Sequence, residues 1–404
     1  MLHQAALRLI KIKKMFKFLL SICFVISFVG IKAQDINYNN LQLENEEYHV
    51  TIPYEYVKGQ IFLPITIKGC RYRFCFDTGS PTMISKKVVN VVKCKELEKT
   101  ILYDINLKKD SVRNVLLPEL KLADLVFKDI PTTILSDVID GCDELAGIIG
   151  ANLFRNSIVL ISHKNKTISI TNDWKKIPVK NKYRNLMHLP ENRNAPFVRV
   201  EFRNGKNKGG GEFIFDTGDS RLLNVNTHFV DFFTEKQVLE LVDSTYGKGA
   251  IGFNGVSEDT IQKRYRVSEL KVNKASIYNI STDHSRISSI GCELIEYGDV
   301  LLDFKNKSFG FVPYEEQTSS RQKYWPIDFT FNRNRIEIAA IWDESLQGIE
   351  VGDQLIEIDG VNLGEVDMCD FINKDFFNKK AQVSLLIVNN QGEKKKFKIS
   401  RLEL

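Results

Sequence analysis

The chain has 404 residues, 43% of them hydrophobic and 26% charged, a composition that excludes disordered, collagen-like and coiled-coil proteins. At about 150 residues per domain the length predicts two or three domains and excludes a single small one. The formal charge of +5 is misleading, because residues 1–33 hold six basic residues and no acidic one, leaving 50 basic against 51 acidic residues beyond them. That near-neutral balance gives no basic surface for nucleic acid.

Residues 1–33 read as a signal peptide. A lysine-rich start is followed by the apolar run Phe18 to Gly30, too short to span a bilayer comfortably, and then by the small residue Ala33. Met15 offers a compact alternative start, and an uncleaved membrane anchor is the competing reading. Cleavage after Ala33 predicts an exported protein, periplasmic, bound in the cell envelope or secreted, with no stable membrane span. Six cysteines then remain, Cys70, Cys75, Cys94, Cys142, Cys292 and Cys369. An even number suits disulfides in an oxidising compartment, with the connectivity open. The six histidines are scattered singly and no Cys pair has CxxC spacing, so neither a metal site nor a cofactor is expected.

The first strand signal is Gln60–Ile67, closed by the turn Lys68-Gly69 and followed by the apolar run Arg73-Phe74-Cys75-Phe76 that ends in Asp77-Thr78-Gly79-Ser80. A second element, Gly147-Ile148-Ile149-Gly150, precedes a hairpin with Lys164-Asn165-Lys166 at its tip. Both elements return. Glu212-Phe213-Ile214-Phe215-Asp216-Thr217-Gly218-Asp219 follows the first by 139 positions, and Ser289-Ile290-Gly291 with the tip Lys305-Asn306-Lys307 follows the second by 141. So constant an offset marks a tandem duplication, with lobes over 34–178 and 179–315, mainly β. In the second lobe Phe197–Phe202 reads as a strand, and 204–211, which ends in a run of three glycines, as a loose hairpin turn.

Asp-Thr-Gly after an apolar strand is ordinarily a turn. Two copies at equivalent places of two lobes are different, because pseudo-twofold packing would bring Asp77 and Asp216 face to face. Two close carboxyls cannot both ionise, so they share a proton. One then takes a proton from a water while the other donates to a carbonyl oxygen, which allows amide hydrolysis without a metal or a covalent intermediate. No Gly-x-Ser-x-Gly and no His-Glu-x-x-His is present.

On these motifs the chain resembles the aspartic protease superfamily of pepsin and the retroviral proteases over roughly residues 50–315. The resemblance implies a bilobal pseudo-twofold acid-protease fold of two β-barrel-like lobes, with Asp77 and Asp216 catalytic. Thr78 and Thr217 would hold the two loops together by reciprocal hydrogen bonds, supported by Gly79 and Gly218, and Ser80 would bond the outer oxygen of Asp77. Ile148-Ile149-Gly150 and, more loosely, Ser289-Ile290-Gly291 match the hydrophobic-hydrophobic-Gly motif behind each loop. Asp219 departs from the family's Ser or Thr. It either raises the apparent pKa of the pair, marks a lobe without catalysis, or turns to solvent. Flap hairpins are expected at 102–110 and 246–255, with Tyr103 and Tyr246 toward substrate.

Residues 315–322 read as a linker, and 316–404 as a small α+β domain. Gly348-Ile349-Glu350-Val351-Gly352-Asp353, followed by Ile358-Asp359-Gly360, resembles a bacterial-type PDZ domain, which implies capture of an extended peptide or C-terminus by strand addition. The expected function is thus an exported aspartic endopeptidase acting on peptides or proteins, with the C-terminal module recruiting substrate or partner. The alternative is a non-catalytic peptide-binding scaffold.

Overall fold

The computed structural model describes residues 36–402 except 105, 137–139, 141, 143, 191–194, 250, 253–254, 321, 333 and 378–379. The expected signal peptide lies outside the described residues.

The fold is mainly β, as expected, and the duplication is visible strand for strand. Gln60–Ile67 pairs antiparallel with Cys70–Asp77 through a turn in which Lys68 and Gly69 both adopt positive φ, at 49° and 78°, the geometry of a tight hairpin. Phe197–Asn204 pairs likewise with Asn207–Asp216. This second hairpin corrects the turn expected over 204–211: Gly209, Gly210 and Gly211 lie inside the strand. The reason is packing. A Cβ on Gly210 would overlap the Val200 carbonyl, one on Gly209 would press on Val238 and Phe233, and Gly210 itself sits at a φ of 149°, open only to glycine.

Each Asp strand is then flanked on its parallel side. Gly147–Gly150 runs alongside Phe74 to Asp77, and Ser289–Gly291 alongside Ile214 to Asp216. A short strand, Met83–Ile84 or Leu223–Asn226, returns antiparallel to it. Phe76 and Phe215 point into one continuous core and are fully buried, each contributing about 2–3 kcal/mol by burial. The lobes join through equivalent strands, Ile158–Ser162 against Gly298–Asp303, antiparallel, with Ile158 opposite Asp303 and Ile161 opposite Val300.

The C-terminal module has its own core of Ile327, Ile336, Ile338, Leu355, Leu385 and Ile387. Its strands are Ile327–Asn332, Arg335–Ile341, Gln354–Ile358, Val361–Asn362, Gln382–Val388 and Lys394–Ser400, and its described residues hold one short helix, Met368–Asn373. The stretch expected to be a linker is fastened instead: Gln317–Ser319 is a strand parallel to Ser276–Tyr278 of the second lobe. One disulfide, Cys142–Cys369, ties the module to the first lobe. Cys70, Cys75, Cys94 and Cys292 are free thiols.

Candidate active site

The two Asp-Thr-Gly loops meet between the lobes. Thr78 N–H donates to Thr217 Oγ1 at 3.1 Å and Thr217 N–H to Thr78 Oγ1 at 3.0 Å. Each hydroxyl then donates across the interface, Thr78 Oγ1 to the Phe215 carbonyl at 2.5 Å and Thr217 Oγ1 to the Phe76 carbonyl at 2.7 Å. Both threonines are fully buried, so all four bonds are made away from water, where an unmade one costs about 1–3 kcal/mol. The reciprocal pattern implied by resemblance is therefore present in full.

That grip fixes the carboxyls. Gly79 N–H donates to Asp77 Oδ1 at 2.8 Å, and Gly218 N–H to Asp216 Oδ1 at 2.9 Å. Asp77 and Asp216 lie close enough for their carboxyls to act on one another. A Cβ on Gly79 would overlap the Asp216 carboxyl, and one on Gly218 the Asp77 carboxyl, so glycine is required by close approach at both positions. Burial raises both carboxyls above the ordinary range. For Asp77 the Asp216 carboxyl and the hydrogen bonds from the Gly79 and Ser80 N–H groups pull the other way, whereas for Asp216 the charges of Asp77 and Asp219 raise it further. The pair therefore binds its first proton at a higher pH than an isolated carboxylate does.

Ser80 departs from the expectation. Its hydroxyl donates to the Pro81 carbonyl at 2.9 Å, and only its backbone N–H serves Asp77. A short side chain beside a kinked backbone finds this local acceptor first.

Asp219 is not turned to solvent. It is buried, and both of its oxygens are occupied: Oδ1 accepts from the Arg221 N–H at 3.2 Å and from Arg221 Nε at 3.3 Å, while Oδ2 accepts from Asn224 Nδ2 and from Ser289 Oγ at 2.9 Å. Arg221 also pairs with Asp283 at 3.7 Å. The extra negative charge beside Asp216 is thus countered within two residues of itself. Sequence reasoning missed Arg221, Asn224 and Ser289; the signal available was that Asn224 and Ser289 are polar where the duplicate has Met83 and Ile148.

Both expected flaps are hairpins, Lys95–Tyr103 with Lys109–Leu122 and Glu240–Gly247 with Thr260–Val272. Part of the expected stretches, residues 105, 250, 253 and 254, lies outside the described residues. The tips touch: Asn106 Nδ2 donates to the Gly255 carbonyl at 3.4 Å and Lys108 Nζ to the Val256 carbonyl at 2.6 Å. Tyr103 and Tyr246 are exposed, at 57% and 61%. The second flap is also held from outside, since Lys248 N–H donates to the Ala339 carbonyl at 2.8 Å and Thr245 Oγ1 to the Ile341 carbonyl at 2.6 Å of the C-terminal module. Among the described residues no group of three or more His, Cys, Asp or Glu is placed to hold a metal ion.

The profile of the aspartyl protease family matches residues 63–153, which include Asp77 and the Gly147–Gly150 strand. No curated protein matches the chain in sequence. Among solved structures the chain is similar to basic 7S globulin from soybean, at 9% identity over 67% of this chain and 97% of that one, with a TM-score of 0.38. It is similar to an aspartic proteinase from Irpex lacteus at 10% identity, 67% and 98% coverage and a TM-score of 0.42. A retropepsin-like aspartic protease from Rickettsia conorii is matched at 13% identity over 32% of this chain and 93% of that one, with a TM-score of 0.23. The chain thus carries an aspartyl-protease-like domain within a mainly β, two-lobed frame.

Proposed function

We propose that the protein is an exported aspartic endopeptidase in which Asp77 and Asp216 activate a water for attack on a peptide carbonyl. The observation that carries this reading is the pairing of two raised carboxyls on loops locked by four buried threonine hydrogen bonds. With one proton shared, the ionised carboxyl takes a proton from the water as it attacks, and the protonated one donates to the carbonyl oxygen as charge develops there. The proton taken from the water then passes to the departing amine. No step requires a bound metal or a covalent intermediate. The touching flap tips support a cleft that closes over an extended chain. The C-terminal module, PDZ-like in its sequence signature, recruits a peptide or partner by strand addition.

Asp219 is the argument for a non-catalytic scaffold, and the Asp219–Arg221 ion pair weakens it, because a cation stands against the added carboxylate. The test is digestion of a diverse peptide mixture by residues 34–404 across pH 3 to 8, read by mass spectrometry. Cleavage blocked by a pepstatin-type transition-state mimic and lost in Asp77→Asn and Asp216→Asn is expected. Absence of cleavage by folded wild-type protein at every pH would overturn the reading.

A further inference from the structure

Side chains alternate along a strand, so Cys75 projects on the same side of its strand as Asp77, while Phe76 between them enters the core. Ile148 lies opposite Cys75 in the parallel pairing, and Met83 opposite Ile148. These three side chains form an apolar wall beside the dyad on the first lobe. The Cys75 thiol is close enough to Asp77 and Asp216 to feel both charges.

That wall is already covered, and by the C-terminal module. Met368 joins Phe62, Cys75, Met83 and Ile148 in one cluster, with Phe331, Cys369 and Phe371 packed against it. Exposure falls to 7% for Cys75, 3% for Met83, 9% for Ile148 and 9% for Met368. The helix bearing Met368 is fastened to the first lobe at several points. Cys369 is disulfide-bonded to Cys142, Lys58 Nζ donates to the Phe371 carbonyl at 2.5 Å, Arg73 donates to Asn373 Oδ1 at 2.7 Å, and Asn373 Nδ2 to Glu144 at 2.7 Å. In the second lobe the matching positions are Ile214, Asn224 and Ser289, and the two polar residues bind Asp219.

We propose that Met368 is a specificity-determining residue that the C-terminal module lends to the cleft. It occupies the space along the Asp77 wall, so a substrate residue lying there must be small, such as Gly, Ala or Ser. Methionine suits the task because its unbranched thioether fills an irregular gap without a preferred shape. The inference rests on the protease reading above and adds to it which side chains that cleft admits.

The test uses residues 34–404 with the disulfide intact, a peptide mixture of varied sequence, and cleavage positions read by mass spectrometry for wild type, Met368→Ala and Met368→Val. Wild type is expected to require a small residue at one of the two positions flanking the cut. Met368→Ala is expected to admit Leu or Phe there, with kcat/KM for a Leu peptide over its Ala counterpart rising about tenfold or more, the scale on which apolar pockets discriminate. Met368→Val, which keeps more of the apolar cover should the alanine variant not fold, is expected to fall between. Unchanged preference in a variant that still cleaves overturns the inference and spares the protease reading. So does acceptance of bulky residues at both positions by wild type, or a variant that speeds all peptides alike, as a displaceable cover would. No cleavage by wild type overturns the protease reading itself, and this inference with it.

Discussion

The two lobes carry the same loop in different surroundings. In both, an apolar strand ends in Asp-Thr-Gly, the threonine bonds across the interface and the glycine admits the opposite carboxyl. The corners behind the loops differ. In the first lobe Thr82 donates from both its N–H and its hydroxyl to Asn152 Oδ1, at 2.9 and 2.8 Å, a neutral clasp. The equivalent second-lobe residues are Leu223 and Glu293, and Asp219, paired with Arg221, stands where the first lobe has Ser80. Backbone geometry at the loops leaves no freedom, because each residue's hydrogen bonds are completed by its counterpart. The walls are free to diverge, and they carry the differences in charge and in the side chains admitted.

The largest effect expected tests the symmetry. Asp77→Asn and Asp216→Asn should each lower kcat/KM by about a thousandfold or more, the scale of removing an acid or base from the reaction. Steady-state kinetics on one good peptide checks this, and a variant of either lobe that kept activity would break the equivalence. Next, Thr78→Ala and Thr217→Ala should each cost about 2–4 kcal/mol of stability by denaturant unfolding, since either change leaves a buried N–H and a buried carbonyl without partners. Unequal costs would show that one lobe holds the other.

Charge should then separate the lobes. Asp219→Ser removes a negative charge near the dyad and should move both limbs of the pH–rate profile down by about one unit, whereas Arg221→Met leaves Asp219 uncompensated and should move both limbs up by about as much. Shifts in one direction for both variants would contradict the ion pair's role. The smallest effect concerns Glu293, which burial pushes up to about 7. An acid whose folded pKa is raised supports folding most at low pH and loses that support as pH climbs from its unfolded value through about 7. Glu293→Gln should therefore flatten the decline in stability between pH 5 and 8 by about 1 kcal/mol, a figure reduced for the residue's partial exposure. Thermal melts across that range measure it.

Much of this frame was legible because a duplicated chain displays its own constraints: Phe-Asp-Thr-Gly and the motif ending at Gly150 or Gly291 recur since each copy must bury the same strand and make the same turn. What stayed hidden was set by distant packing. The run Gly209-Gly210-Gly211 looks like a turn until Phe233 and Val238 are seen pressed against it. Arg221 is an unremarked surface-type residue until Asp219 is known to be buried, and Met368 stands 220 positions from Ile148 in the chain. Six cysteines suggest bridges without pairing any; among the described residues the structure joins Cys142 and Cys369 and leaves the other four as thiols.

That one bridge imposes an order in time. Its cysteines are 227 residues apart, so at about 5–20 residues per second Cys142 is synthesised some 10–45 s before its partner exists. Cys70, Cys75 and Cys94 are already made during that wait, and any pairing of Cys142 with one of them leaves Cys369 without its native partner. The covalent ring that closes at the end encircles the whole second lobe, and a cut anywhere within it leaves the molecule in one piece until the disulfide is reduced.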